Sequence, residues 1–500
     1  MVALGLDPDA HGPRLPEDEA PPPTLEELPE YLAKLEVEAE QQQVKLREEQ
    51  AVRDAANESL FQRLGLDYAE VRAEREKKVV GPPAFTDAAK VAELEALIVT
   101  FAARGMPTQH IQEIIDDPDM RRSWQEAEAK GREAYRASAH FQGAMSAIDA
   151  DANHVVRERV RELLSQGQSL AGLDLSAADL SNMKLDGANL EGAFLDTVNL
   201  ANASLRGANL KAAVLSHVHA PACDFSHANL DACNLGASHC VGANFEAAHM
   251  TGTIFARADL SQAKFQRAEL EHVDFDSATF RGASFANAVS KQLTLNETSL
   301  SGVDFAGAQL QGCNLLKVEL EATVFSGADL TGTLFLGCRG RCDFTRARMH
   351  NVRMIDGCVF DASDFTHADL QDANVRSTSL ASVKLRSATL DRADFSSACL
   401  TDADLTLVHG HGTNMTRADL RKARLRGANL MYASLSSAHL EGADFGDTNL
   451  FGADLSRIRI DHTSRYDSVV FTRARLHPQH TPLALGAGQS QGRGQGQPPK

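Results

Sequence analysis

Two short histidine pairs, a scatter of cysteines and two arginine-rich stretches are the residues of this chain whose types could do chemistry. His217-Val-His219, with Cys223 following, has a spacing that could hold a metal ion, and His409-Gly-His411 offers a second pair. Aspartate and glutamate are plentiful, as acid–base work would need. No phosphate loop, dinucleotide fingerprint, zinc-protease motif or nucleophile elbow occurs in the sequence, and the eight cysteines form no CxxC. Arg339, Arg341, Arg346, Arg348 and Arg353 make one basic run; Arg417, Arg421, Lys422, Arg424 and Arg426 make a second. Such runs are solvated faces or docking patches for an acidic partner or for the chain's own acidic N-terminus.

The frame that carries these residues is a five-residue beat. From about Leu170 to Leu455 a large apolar residue recurs at nearly every fifth position, with a small residue two places before it. Ala188-Asn189-Leu190-Glu191-Gly192 shows the unit. This period fits neither a helix nor a strand, so it is a repeat architecture. Phe225, Phe245, Phe265, Phe285, Phe305 and Phe325 fall on a strict 20-residue ladder that Phe365 rejoins. Four pentads per turn of a tube would stack these rings at roughly 4.8 Å, the spacing of hydrogen-bonded strands. The expected fold is a four-sided parallel β-helix of about 15 coils, roughly 70 Å long.

Each pentad position then has a role. The central Leu, Phe or Met fills the interior, and the small residue before it also points inward. Asp or Asn between them faces out and can bond backbone at the corner. Glycines such as Gly187, Gly192, Gly207, Gly242 and Gly252 lie two after the centre, where the corner needs unusual angles. His217 and His219 become exterior positions flanking inward Val218, so surface residues rather than ligands are expected. Most aspartates occupy the structural slot. Cys223, Cys233, Cys313, Cys338 and Cys358 take the small inward position and read as core, although Cys338 and Cys358, one coil apart, leave a bridge open. The beat shortens after Phe335, so that Phe344, Met349 and Met354 run one residue early, and is back in phase at Phe360. A residue missing near 336–341 and one added near 355–359 account for it as a local bulge. Ala220, Cys240, Ser290 and Gly410 are weak centres that mark other candidate distortions.

Ala-Asn-Leu at 188–190 and 428–430 and Ala-Asp-Leu at 328–330 and 418–420 resemble the A(D/N)LXX consensus of the pentapeptide-repeat proteins, over about three-fifths of the chain. The resemblance implies a right-handed quadrilateral β-helix with no catalytic apparatus and no cofactor. Some members of that family mimic duplex DNA and bind DNA gyrase. Those are shorter, evenly acidic and nearly all repeat, and this chain departs from them in each respect.

The 500 residues carry a formal charge of −18. It is unevenly spread: about −13 over the first 169 residues, about −9 from there to Phe335, and slightly positive over 336–476. No run of 18 apolar residues and no signal-like start are present, so a cytoplasmic location without membrane contact is expected. Residues 1–23, rich in Pro, Asp and Glu, read as disordered, and 24–80 as a charged helical or coiled segment opened by Thr24-Leu-Glu-Glu27. Residues 81–167 read as helices near 86–104, 108–116, 119–147 and 152–166 that cap the solenoid, 168–476 as the repeat, and 477–500 as a flexible Gly/Gln-rich tail.

These readings converge on a non-enzymatic scaffold or adaptor for protein partners. The N-terminal helices would cap, recruit or dimerise, so a homodimer stays open. The leader from Arg161 to Gly172 looks like the run-in to repeats of proteins associated with type VI secretion loading. The alternative is a duplex mimic acting on gyrase or topoisomerase; overall acidity argues against direct nucleic-acid binding.

Overall fold

The computed structural model describes residues 81–104, 106–290 and 292–477. The segments expected at 1–23 and 24–80, and nearly all of the 477–500 tail, lie outside the described residues.

Helix α1 spans Asp87–Ala103, α2 Gln109–Asp116, α3 Pro118–Ser138 and α4 Ala150–Ser165. Their starts follow capping chemistry: Thr86 Oγ1 accepts from Ala89 N, Asp117 from Asp119 N and Asp149 from Ala152 N. Pro118 sits in the first turn of α3, where its missing N–H costs nothing. The expected helix over 119–147 ends early. A single 3-10 turn, Ala139–Phe141, follows α3, and 142–149 is extended because it runs along the solenoid wall, with Met145 N donating to Thr197 Oγ1 at 3.0 Å.

From Leu170 onward the chain coils. Asp174 bridges Phe194, Asp179 bridges Asn199, Lys184 bridges Ser204 and Asn189 bridges Asn209, all parallel and 20 residues apart. These four rows, called sides one to four in that order, continue to the last coil with one interruption on sides one and two. Longer parallel strands form where two neighbours join the ladder: β1 (Thr294–Asn296), β2 (Asn314–Leu316), β3 (Leu334–Leu336) and β4 (Arg353–Ile355) in one sheet, β5 (Asp454–Ser456) and β6 (Arg475–His477) in another. Except where the phase slips, at Cys342 and His462, the residue two after the centre has a left-handed φ, from 50° at Glu297 to 74° at Gly442. Glycine is common there, but Asn182, Ala212 and Arg392 adopt the same angles, so coil-to-coil hydrogen bonding overrides the roughly 1–2 kcal/mol local preference.

One continuous core runs the length of the tube. Phe245, Phe265 and Phe325 are fully buried, and consecutive rings of the side-three ladder stack at 5.1, 4.8, 4.5, 5.1 and 5.3 Å from Phe225 to Phe325. The ladder does not lapse before Phe365. Phe344 fills the gap, 5.1 Å from Phe325 and 4.6 Å from Phe365, because the bridges shift by 19 residues (Val324 to Asp343) and then by 21 (Asp343 to Asp364). The residue is lost at the corner between Arg339 and Asp343 and regained between Arg353 and Val359. Gly340 makes the short corner possible: at φ 139° a Cβ would stand 2.5 Å from Glu321 N and from the Leu320 carbonyl carbon. A second column, Phe255 on Phe275 at 5.5 Å, meets the first edge-on.

Two features depart from the sequence reading. The phase slips a second time, one residue being added between Arg459 and Arg465, so that Asp444 bridges Arg465 and Asp454 pairs with Arg475. Of the weak centres, Ala220, Cys240 and Gly410 sit in regular coils, whereas Ser290 adjoins a real break. No bridge joins Asp274 to Thr294 or Thr279 to Ser299, which leaves a polar cleft beside Arg281 and Glu297.

Candidate protein-binding surface

Among the described residues, centre and small positions from all four sides fill the tube interior up to the last coil. Chemistry must therefore lie on the outer wall. His217 donates from Nε2 to the Gln142 carbonyl at 2.9 Å, and His219 stacks flat on His239 at 5.2 Å. His411 meets the Tyr432 ring edge-on at 5.3 Å. Among the described residues no group of three His, Cys, Asp or Glu converges on a metal position. All eight cysteines are free thiols. Cys338 Sγ lies 3.1 Å from the Leu315 carbonyl and Cys358 Sγ 3.1 Å from that of Ile355; the bridge left open between them is not formed. Interaction between the two thiols lowers the pKa of Cys338 and raises that of Cys358.

The aspartates do the corner work their slot suggests. Asp179 accepts from Ser181 N at 2.9 Å and Asp364 from Thr366 N at 3.0 Å, a bond from each outward carboxylate to the amide two residues on. Donated hydrogen bonds outweigh partial burial and hold both carboxyls below the usual range.

The ten basic candidates do not gather on one face. Arg339 lies on side two, Arg348 on side four and Arg353 on side one, with Arg341 and Arg346 at corners, so the first run circles the tube. Arg417, Arg421, Lys422, Arg424 and Arg426 cover about half a turn three to four coils later, with Arg424 on side three and the other four at corners from before side two to after side three. Five of the ten are engaged in surface pairs: Arg339 with Glu319 at 2.8 Å, Arg341 with Glu321 at 4.0 Å, Arg348 with Asp329 at 3.4 Å, Arg421 with Asp419 at 2.6 Å and Arg426 with Asp447 at 3.1 Å. Arg346, Arg353, Arg417, Lys422 and Arg424 make no ion pair among the described residues. Linear spacing cannot show a belt, because adjacent pentads point to different sides.

What the sequence reading missed is an apolar stretch on side one. Outward slots that elsewhere hold Asp or Asn hold Phe194, Val214 and Ile254. Helix α3 and its 3-10 turn lie over the first two: Tyr135 and Ala139 pack with Phe194 and Val214, and Tyr135 meets the Phe194 ring at 5.8 Å. The signal was present, as three bulky residues in a polar slot. Beneath the helix Asp196 is buried, with the Ser216 hydroxyl donating to it and the Tyr135 hydroxyl beside it. Burial pushes its carboxyl up to about 6 and, with Asp196 itself, raises the Tyr135 phenol. His140 is buried too, accepting at Nδ1 from Asn234 Nδ2 at 3.1 Å, and burial lowers its pKa. Helix α4 serves the tube end instead, with Val160 and Leu163 joining the core at Leu170. An aromatic strip runs along another corner, where exposed Tyr432 stands 5.6 Å from half-buried Phe451 and Arg473 covers the Phe451 ring.

A family described as pentapeptide repeats (8 copies) matches residues 174–216, 199–236, 298–337, 341–381, 368–406, 388–427 and 428–464, and a pentapeptide repeat region matches 238–305. The chain belongs to the pentapeptide-repeat family. Similar solved structures include QnrB1, a plasmid-mediated fluoroquinolone resistance protein, at 21% identity over 37% of this chain and 90% of that one (TM-score 0.23). HetL, involved in heterocyst differentiation regulation in the cyanobacterium Nostoc sp. strain PCC 7120, is 23% identical over 58% of this chain and 97% of its own (TM-score 0.14). Rfr23 from the cyanobacterium Cyanothece 51142 is 35% identical over 21% of this chain and 64% of its own (TM-score 0.11). No curated protein matches this chain. Among the described residues no helix is long and apolar enough to cross a membrane.

Proposed function

We propose that this pentapeptide-repeat protein is a non-enzymatic scaffold whose right-handed, four-sided tube presents its outer wall to protein partners. The observation that carries this is the docking of α3 on side one: the wall receives a helix where its outward slots turn apolar. The strip of exposed Tyr432 and half-buried Phe451, with Arg473 beside it, repeats that chemistry without a helix on it among the described residues. Aromatic and arginine side chains are the commonest anchors of protein interfaces. The filled interior favours extended surface contacts over substrate turnover. Handedness follows the strong preference of parallel crossovers.

The test is affinity purification with the full-length protein, comparing wild type, Tyr432→Ser/Phe451→Ser, and charge reversal at Arg346, Arg353, Arg417, Lys422 and Arg424. Partners lost on the aromatic variant support the reading; a partner set unchanged by both variants removes it. Loading of a type VI secretion spike is a narrower form, supported only if spike or effector proteins co-purify. Duplex mimicry needs an evenly acidic wall, and the alternating charges of Glu319–Arg339 and Asp372–Arg392 weigh against it. Loss of gyrase supercoiling in the presence of this protein would reinstate it.

A further inference from the structure

Between Asp274 and Ser299 the wall of the tube parts on sides one and two, while sides three and four stay closed. On side three Phe285 N donates to the Asp304 carbonyl at 2.6 Å and Asp304 N to that of Ala283 at 3.2 Å. The equivalent donors in the gap are Phe275, Ser277, Phe280 and Gly282 on the earlier coil and Thr294 and Ser299 on the later one. Among the described residues none of these six amides donates to the facing coil. The core behind them stays shut, with Phe275, Phe280, Leu295 and Leu300 at most 4% exposed. What opens is a slot of about 650 Å³ in the wall of side two, with residues 277–281 on one lip and 297–301 on the other. Clefts that hold ligands commonly measure roughly 300–1,000 Å³.

The unmet groups define the ligand. Each lip is a β edge whose N–H and C=O groups face the other lip, and an extended peptide carries N–H and C=O on both of its own edges. One side of the tube is at most about 18 Å long, which about five extended residues span. Ala278 and Thr298 are buried on the inner side of the slot. With the core closed behind them, peptide side chains turned inward must be small. Charge fixes one end. Glu297, at the corner before side two, is held by Lys317 at 3.1 Å. Arg281, at the corner after it, is exposed and makes no ion pair among the described residues, so a carboxylate of the peptide belongs there.

We propose that this slot binds an extended segment of a partner protein, about five residues long, with small side chains turned inward and an Asp or Glu on Arg281. Its backbone takes up the bonds that the facing coils leave open. The slot lies apart from the α3 docking stretch and from the Tyr432 strip.

The test uses the full chain. Before any ligand is added, the amides of Phe280 and Gly282 should exchange at least tenfold faster than those of Phe285 and Asn287, read residue by residue. A pool of capped seven-residue peptides of Gly, Ala, Ser and Thr with one Asp is then offered, and retained members are identified by mass spectrometry. Retention should fall at least tenfold when Lys replaces the Asp, when alternate peptide nitrogens are methylated, and on Arg281→Glu. At saturation a retained peptide should slow exchange at Phe280 and Ser299 at least tenfold, with Phe245 and Phe325 unchanged. The proposal is overturned by slow exchange at Phe280 before peptide is added, by no retained peptide, by retention indifferent to any of the three changes, or by protection elsewhere on the tube.

Discussion

Replacing Gly236 with alanine should release the α3 turn from the solenoid wall while leaving the coils intact. A Cβ on Gly236 would stand 2.5 Å from His140 Cβ and 2.6 Å from its Cγ, against an ordinary carbon contact near 3.5–4.0 Å. The obstruction is the root of the histidine rather than its flexible end, so the turn must retreat by about 1 Å or more. The bonds from Asn234 Nδ2 to the Arg136 carbonyl (2.5 Å) and His140 Nδ1 (3.1 Å) go with it. Overpacking costs about 1–3 kcal/mol and the two hydrogen bonds about 0.5–1.5 kcal/mol each. Gly236 is not in the left-handed region, so the substitution adds no backbone strain, and its coil is folded whether the turn is docked or open. The loss of docking free energy is about 2–6 kcal/mol, a roughly 30- to 25,000-fold increase in the open population. Hydrogen exchange read by mass spectrometry over 135–149 should quicken by that factor, with 170–230 unchanged. Equal exchange in the two proteins refutes the reasoning, because it means that His140 does not sit on Gly236.

Phe265→Ala should cost about 4–6 kcal/mol, combining the usual cavity penalty with two lost stacked pairs at 4.8 and 4.5 Å, whereas outward Lys264→Ala should cost under about 0.5 kcal/mol. Urea unfolding measures both, and a Phe265→Ala loss below about 1 kcal/mol would contradict the interior ladder. Asp196 gives a pH dependence of definite sign. Its folded pKa, about 6, lies above the ordinary value near 3.9, so its stabilising protonated form is fully held below about pH 4 and lost as pH rises to about 6. The loss is of order 3 kcal/mol. Stability measured for wild type relative to Asp196→Asn should fall across that window and be flat above it; a difference independent of pH removes the argument.

The sequence by itself determined the tube. A small residue, a polar slot and a large apolar centre every five positions can be satisfied together only if one neighbour in five fills an interior, and phenylalanines 20 apart say that four such sides close a coil. Even the slip near Gly340 was visible, because a lost and a regained residue leave the downstream centres in phase. The slip after Arg459 was not, because the pattern of small and large residues fades there and no later stretch restores the phase. Tertiary structure alone decided the surface. Two compact arginine runs are spread over different sides of the tube, because consecutive pentads face directions about a quarter turn apart. Phe194 and Val214, one coil apart in sequence, become neighbours about one strand spacing apart and receive α3. Burial raises the pKa of Asp196 because α3, some 60 residues earlier, covers it, and lowers that of His140 because the wall at Asn234, some 90 residues later, receives its turn. Repeat periodicity is a local property of the chain and survives in one dimension, whereas exposure and charge pairing depend on which coil edge comes to lie beside which helix.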